Sequence, residues 1–337
     1  MSKSETAFVP CGIEVSSQTL VVDRAGQAPR QFANTPAGHR SLIIWLRRGR
    51  LVMRVCLEAT GLYGLDLALA LHAAAIPLMV ANPRAVRNFA RAMMQRSKTD
   101  QLDAAVLREY AARMPFDPWQ PPSPRALQLM AVAHRMQALT QMITAEKNRL
   151  HATSLSCALP DLVRRDVLRS IQTMERALDR LLRAALEFLL ADPELARRHA
   201  LLVSIPGIGA TSALYLLAEL QRLGPDANVR QWVAYAGLDP RQHTSGTSVA
   251  KKSTVSKVGN ARLRRALYMP ALVASQHEPH LRGFYQHLLA RGKTKLQALV
   301  AVMRKLLHAI FGMFKHDQPF VGAKVFSLPL ESEAACA

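Results

Sequence analysis

Five prolines between Met114 and Arg125, in MPFDPWQPPSPR, divide this chain more firmly than any other feature. Proline lacks the amide hydrogen that a helix interior or a central strand needs, and it restricts the residue before it. Residues 114–125 are therefore read as a linker, and 337 residues leave enough chain for a core on each side.

Upstream, residues 8–15, 18–23 and 28–34 read as three strands of a meander, joined by SS and AGQA turn signals. Thr35-Pro36 opens a helix with an apolar face of Leu42, Ile43 and Leu46. Leu51–Leu57 reads as a buried strand, Tyr63–Ala75 as a helix and Pro77–Ala81 as a strand, with two more helices from Pro83 and about Thr99. The order β-β-β-α-β-α-β-α-α predicts an α/β domain over residues 1–113, a mixed sheet with helices on its faces.

Downstream, residues 126–195 read as two long amphipathic helices separated at Pro160, an α-helical hairpin suited to self-association. The same Leu/Met stripe serves ordinary core packing equally well. Residues 196–325 are expected to be mainly α-helical and open on LLVSIPGIGATSALYLLAEL, with PGIG as a helix-hairpin-helix turn. Gly207 and Gly209 permit tight backbone geometry there, and the next helix N-terminus offers amides to a phosphate. HTSGTSVAKKSTVSKVGN follows and reads as a Gly/Ser/Thr-rich loop, then basic helices from about Ala261, Leu281 and Thr294. Residues 326–337 look like a disordered tail.

The net charge is +20, and thirteen basic residues face one acid, Glu278, between Arg241 and Lys305. Solubility does not require such a block, whereas a polyphosphate attracts it by counterion release. Arg241, Lys251, Lys252, Lys257, Arg262, Arg264 and Arg265 are the candidate nucleic-acid contacts, although helix packing would explain them too. Aromatic residues make up only 6%, which argues against recognition dominated by base stacking. Four cysteines without a CxxC pair point to reduced thiols and a cytoplasmic protein. The histidines lack zinc spacing, and the most apolar stretch, Leu67–Ala81, is broken by His72 and Pro77 and too short for a membrane span.

Candidate chemistry lies in two places. Glu14 and Glu58 end apolar strands, while Asp100 and Asp103 stand three apart at a helix start and so share a face. All four acids are expected at one end of the sheet, a setting for Mg²⁺ beside a phosphodiester. The alternative for the aspartates is a helix cap and a first-turn acid favoured by the helix dipole. In the TSGTS loop, Thr244–Ser248, a serine among cations has two readings: attack on phosphorus, or plain hydrogen bonding to phosphate.

GIEVSSQTL, LEATGLYG, ANPRAVRNFA, KTDQLDA, SIPGIGATSA, YAGLDPRQHTSGTSVAKKSTVSKVGNARLRRALYMPAL and MRKLL, in this order, resemble the IS-one-ten family of insertion-sequence transposases over about residues 8–325. The resemblance implies a RuvC-like (RNase H-like) N-terminal domain with a D-E-D-D acidic set, a coiled-coil middle and a C-terminal transposase domain. It places the acidic set, and Mg²⁺, on Glu14, Glu58, Asp100 and Asp103, and the nucleophilic serine on Ser245. It further implies DNA cut through a covalent phosphoserine, a structured guide RNA, and homo-oligomers up to tetramers with composite sites. Two departures stand out. Glu14 replaces the family's aspartate, shifting the carboxylate by roughly 1 Å where Mg²⁺ is strict, and Ser16-Ser17 replace the lysine that follows. Reduced activity is expected. A metal-dependent junction nuclease and a nucleic-acid-binding relic are the rival readings.

Overall fold

The computed structural model describes residues 8–49, 51–59, 61–154, 160–224, 226–245 and 249–328, with side chains at all of these except 154, 242–245 and 249–253. It divides into two compact units, Met1–Pro121 and Pro122–Ala337.

Unit 1 contains strands β1 (Phe8–Val15), β2 (Thr19–Arg24), β3 (Arg30–Ala33), β4 (Val52–Glu58) and β5 (Leu78–Ala81), with helices α1 (Pro36–Leu46), α2 (Leu65–Ala73), α3 (Pro83–Ala92) and α4 (Asp100–Arg113). The sheet order is β3-β2-β1-β4-β5. β1–β2–β3 run antiparallel, as short turns allow, whereas β1–β4 and β4–β5 are parallel and need the crossover helices α1 and α2. Strand side chains alternate between faces, and this alternation sorts the core in two. Cys11, Ile13, Val55 and Leu57 meet Leu42 and Leu46 of α1 and Leu67 and Leu71 of α2. On the opposite face, Cys56, Met79 and Ala81 meet Val86 of α3 and Val106, Leu107 and Ala111 of α4.

The proline-rich stretch carries side chains that pack on this unit: Phe116 and Trp119 lie against its two cores. The Trp119 amide donates to the Leu78 carbonyl at 2.7 Å, covering part of the β5 edge. Cys11 and Cys56 are free and buried. Burial pushes both thiols up, Cys56 to about 12, so they act as packing groups. Cys157 and Cys336 lie outside the described residues.

Unit 2 contains α5 (Pro124–Ser154), α6 (Asp161–Leu190), α7 (Pro193–Val203), α8 (Ala210–Leu220), α9 (Val229–Ala236), strands β6 (Pro240–Ser245) and β7 (Val249–Val255), then α10 (Ala261–His277), α11 (Pro279–Ala290) and α12 (Lys295–His316). One core joins Leu129, Ala133 and Met136 of α5 and Leu189 of α6 to Leu214 and Leu217 of α8, Leu267 of α10 and Leu306 of α12. Helix α12 is long and apolar enough to cross a membrane by composition, yet Val302, Leu306, Leu307 and Ile310 lie buried in this core.

The expected loop after His243 is largely a β-hairpin. β6 and β7 pair antiparallel from Pro240↔Val255 to Ser245↔Val249, with an irregularity between Arg241 and His243. Thr244, Val249, Thr254 and Val255 favour extended backbone.

Candidate acidic site and serine hairpin

The acidic site is built by one close backbone approach. Helix α4 crosses β1 at Gly12, where an added Cβ would overlap the Ala104 carbonyl and the Arg108 amide. Any side chain at position 12 would therefore hold the helix away. Glu14 is two residues further along β1, on the same face as Gly12, and Asp103 precedes Ala104. Glu58 ends β4 one step beyond the Ile13↔Leu57 pair, so it lies beside Glu14. Thr99 caps α4, its hydroxyl accepting from the Leu102 amide, and fixes where Asp100 and Asp103 begin.

The electrostatics report the convergence. Glu14 is raised from 4.5 to about 7, first by burial and then by repulsion from Asp103, Glu58 and Asp100. Burial and Asp103 raise Glu58; burial also raises Asp103, with Lys98 opposing and Asp100 adding to the rise. Lys98 and Arg87 are the counter-charges of the site.

Among the described residues, no three acidic, histidine or cysteine side chains stand close enough to hold a metal between them. The donor chemistry nevertheless fits a divalent ion: the groups are hard carboxylates, and their mutual repulsion at Glu14 is what a cation relieves.

The serine lies in unit 2. Ser245 ends β6, its backbone opposite Val249; its side chain and residues 246–248 are outside the described residues, as are the side chains of Lys251 and Lys252. The Ser256 amide donates to the Asp239 carbonyl at 2.9 Å and the Ser256 hydroxyl to Asp239 Oδ1 at 2.9 Å, while the Lys257 amide donates to the Gly237 carbonyl at 3.2 Å. Gly237 has φ 62° as the C-cap of α9. Gly259 has φ 152°, and a Cβ there would overlap the Tyr235 carbonyl.

The other expected contact residues divide by environment. Arg241, Lys257, Arg262 and Arg265 are exposed. Arg264 is half-buried, and its Nη1 donates to the Ala236 carbonyl at 2.9 Å, tying α10 to α9. At the α7–α8 turn, Gly209 faces open space, whereas an added Cβ at Gly207 would press on Pro270 and Val273 of α10. Sequence reasoning missed a groove of about 480 Å³ along α12. Arg304, Lys305, His308, His316 and Lys324 line it beside Phe284 and Phe320, without an acidic residue. The spacing of 304, 308, 312 and 316 on one helical face was the available signal.

Acids gathered at strand ends of a mixed sheet, followed by a basic helical unit, fit the class of nucleic-acid-processing enzymes with an RNase H-like domain. The family model described as a transposase of the DEDD, IS110 type matches residues 11–156, and that of the IS116/IS110/IS902 transposase family matches residues 199–286. The pilin gene-inverting protein of Moraxella bovis is 29% identical over 293 residues, 86% of this chain and 89% of its own. The transposase of insertion sequence element IS1111A from Coxiella burnetii is 25% identical over 343 residues, covering 94% of this chain and 89% of its own. An uncharacterized 43.6 kDa protein of insertion element IS110 from Streptomyces coelicolor is 30% identical over 162 residues, 48% of this chain and 38% of its own. The chain belongs to the IS110 family of transposases.

Proposed function

We propose that this transposase cuts and rejoins the DNA of an insertion sequence through a covalent phosphoserine, directed by a structured RNA. Residues 1–113 carry the acidic site, 126–195 the helical hairpin that assembles dimers and tetramers, and 196–325 the serine. Ser245 Oγ forms a bond to phosphorus and gives its proton to solvent, while the bond from phosphorus to the 3′ oxygen breaks and that oxygen takes a proton from solvent to leave as a hydroxyl. Reversal by another 3′ hydroxyl joins the strands and frees the serine.

Glu14, Glu58, Asp100 and Asp103 would hold the divalent ion, which we take to be Mg²⁺. Bound there, it supplies charge neutralisation at the phosphate. Lys98 and Arg87 limit the repulsion among these carboxylates. Arg241, Lys251, Lys252, Lys257, Arg262, Arg264 and Arg265 neutralise nucleic-acid phosphates. Gly209 at the α8 N-terminus and the cationic groove along α12 add further surface, in a helix-hairpin-helix setting for the former. The observation that carries this reading is the close crossing at Gly12, which brings acids from three separate segments into mutual electrostatic reach.

Incubation of the protein with Mg²⁺, its flanking RNA and DNA bearing the joined element ends, followed by denaturation, tests it. A DNA–protein adduct in the wild type that is lost in Ser245→Ala supports the serine step. Cleavage that persists in Ser245→Ala without adduct replaces it with a water-using junction nuclease. A second reading, a protein that binds nucleic acid without cutting, is favoured by Glu14 in place of aspartate; it predicts salt-sensitive binding and no product.

A further inference from the structure

A buried carboxylate outside the acidic site has a partner on each oxygen. Glu219 of α8 is 0% exposed. Its Oε1 is 2.8 Å from Nε2 of His134 on α5, and its Oε2 is 2.5 Å from Nδ2 of Asn260, the residue that opens α10. Burial pushes the Glu219 carboxyl up, but hydrogen bonds from His134 and Asn260, with the charges of His134 and Arg222, outweigh it and hold the group below its ordinary value.

Asn260 is committed at every polar atom. Its backbone amide donates to the Tyr235 carbonyl at 2.6 Å, and its second side-chain amide hydrogen reaches the Tyr235 hydroxyl at 2.8 Å. Its Oδ1 accepts from the Arg262 and Leu263 amides at 2.9 and 3.1 Å, capping α10. A carboxylate accepts and cannot donate. Glu219 therefore fixes which way the Asn260 amide points, with nitrogen inward and oxygen on the helix cap. Shortly before it, Lys257 is bonded to Gly237 at the end of α9 and Ser256 to Asp239, and Ser256 follows directly on β7; Gly259, between them and Asn260, lies close against the Tyr235 carbonyl.

We infer that Glu219 is a positioning residue for the hairpin that carries Ser245: by orienting Asn260 and binding His134, it locks the hairpin's root to α8, α9 and α5. This rests on the reading of Ser245 as the nucleophile. No atom of Glu219 needs to meet DNA. Its effect passes through the N-cap and the Gly259 segment, and loss of one fixed orientation lets the root sample others. A displacement of about 1 Å at a reacting group costs on the order of a hundredfold in rate.

Glu219→Gln removes the acceptor-only constraint while keeping the side chain's shape. Hydrogen exchange by mass spectrometry on the full-length protein and the rate of DNA–protein adduct formation at saturating protein are the two readouts. The expected result is faster exchange confined to residues 239–263, and a tenfold to hundredfold slower adduct, with DNA affinity and melting temperature near wild type. Glu219→Gln/Asn260→Asp reverses the polarity of the pair and retains a capping side chain at 260, so it should restore both readouts. Should Glu219→Gln fail to fold, Asn260→Ser keeps a helix cap but loses the donor to Glu219, and should show the same two changes. Unchanged exchange, or an unchanged adduct rate, overturns the inference. If the wild type forms no adduct, the serine reading fails and the positioning role falls with it. Exchange then decides separately whether Glu219 ties the root.

Discussion

Gly12 of β1 and Ala104 of α4 touch backbone to backbone: a methyl group at Gly12 would overlap the Ala104 carbonyl oxygen. That contact sets the height of α4 above the sheet, and with it the distance from Asp103 to Glu14 and Glu58. The acidic site thus depends on a residue that has no side chain.

Gly12→Ala should therefore lower stability and activity together. Overpacking of this kind costs about 1–3 kcal/mol, and the obstruction here is backbone that cannot rotate away. The melting temperature of unit 1 should fall, and the repulsion at Glu14 should relax as the aspartates withdraw. A variant that melts as the wild type does and retains the Glu14 titration would contradict this account of the site.

Glu14 also predicts a pH dependence. Its carboxyl is raised from 4.5 to about 7, by burial first and by Asp103, Glu58 and Asp100 after it. A carboxyl raised on folding contributes stability that is fully present below pH 4.5 and lost as pH rises through 7. In chelator, unit 1 should accordingly lose stability between pH 5 and 8, and Mg²⁺ should restore more of it at pH 8 than at pH 5. Glu14→Gln should flatten the profile. Urea denaturation at each pH measures it, and a wild-type profile as flat as that of the variant would argue against the raised carboxyl.

Glu14→Asp shortens the side chain by one methylene. Octahedral Mg²⁺ tolerates displacement of a ligand poorly, and about 1 Å at a reacting centre is worth roughly a hundredfold. The aspartate variant should form adduct faster, by up to that factor, with DNA affinity unchanged. Equal rates would show that the extra methylene does not limit the enzyme.

The elements of unit 1 were legible because strand alternation and Pro, Gly and Asn boundaries agree along the chain. Strand ends and helical spacing were enough to place Glu58, Asp100 and Asp103 within electrostatic reach of Glu14, but not to say how closely the four approach; among the described residues no three are near enough to hold a metal. Gly12 was not legible, since a single glycine in a strand also marks a bulge or a weak point. The β6–β7 hairpin was hidden for another reason: PRQHTS and VAKKSTV lack the apolar alternation that a sheet over a core imposes, so they read as loop. Glu219 sits in the apolar run LYLLAEL, and its partners His134 and Asn260 lie 85 and 41 residues away. Only tertiary structure joins them. The bond from Arg264 to the Ala236 carbonyl was equally hidden, since nothing in the sequence pairs positions 264 and 236.

The groove along α12 allows binding to be tested apart from folding. A Cβ added at Gly312 would meet open space, and Gly312 lies between His308 and His316 on the groove wall. Gly312→Leu removes a helix-interior glycine, which favours the helix by up to about 1 kcal/mol, while filling the groove. Stability should hold or rise as DNA or RNA affinity falls. Arg304→Ala, by contrast, should keep the groove open and lower the salt dependence of binding by about one unit of slope for a single lost phosphate contact. Titrations from low to moderate salt measure both variants. If Gly312→Leu binds as the wild type does and Arg304→Ala leaves the slope unchanged, the groove takes no part in nucleic-acid binding and the +20 charge must act elsewhere on the surface.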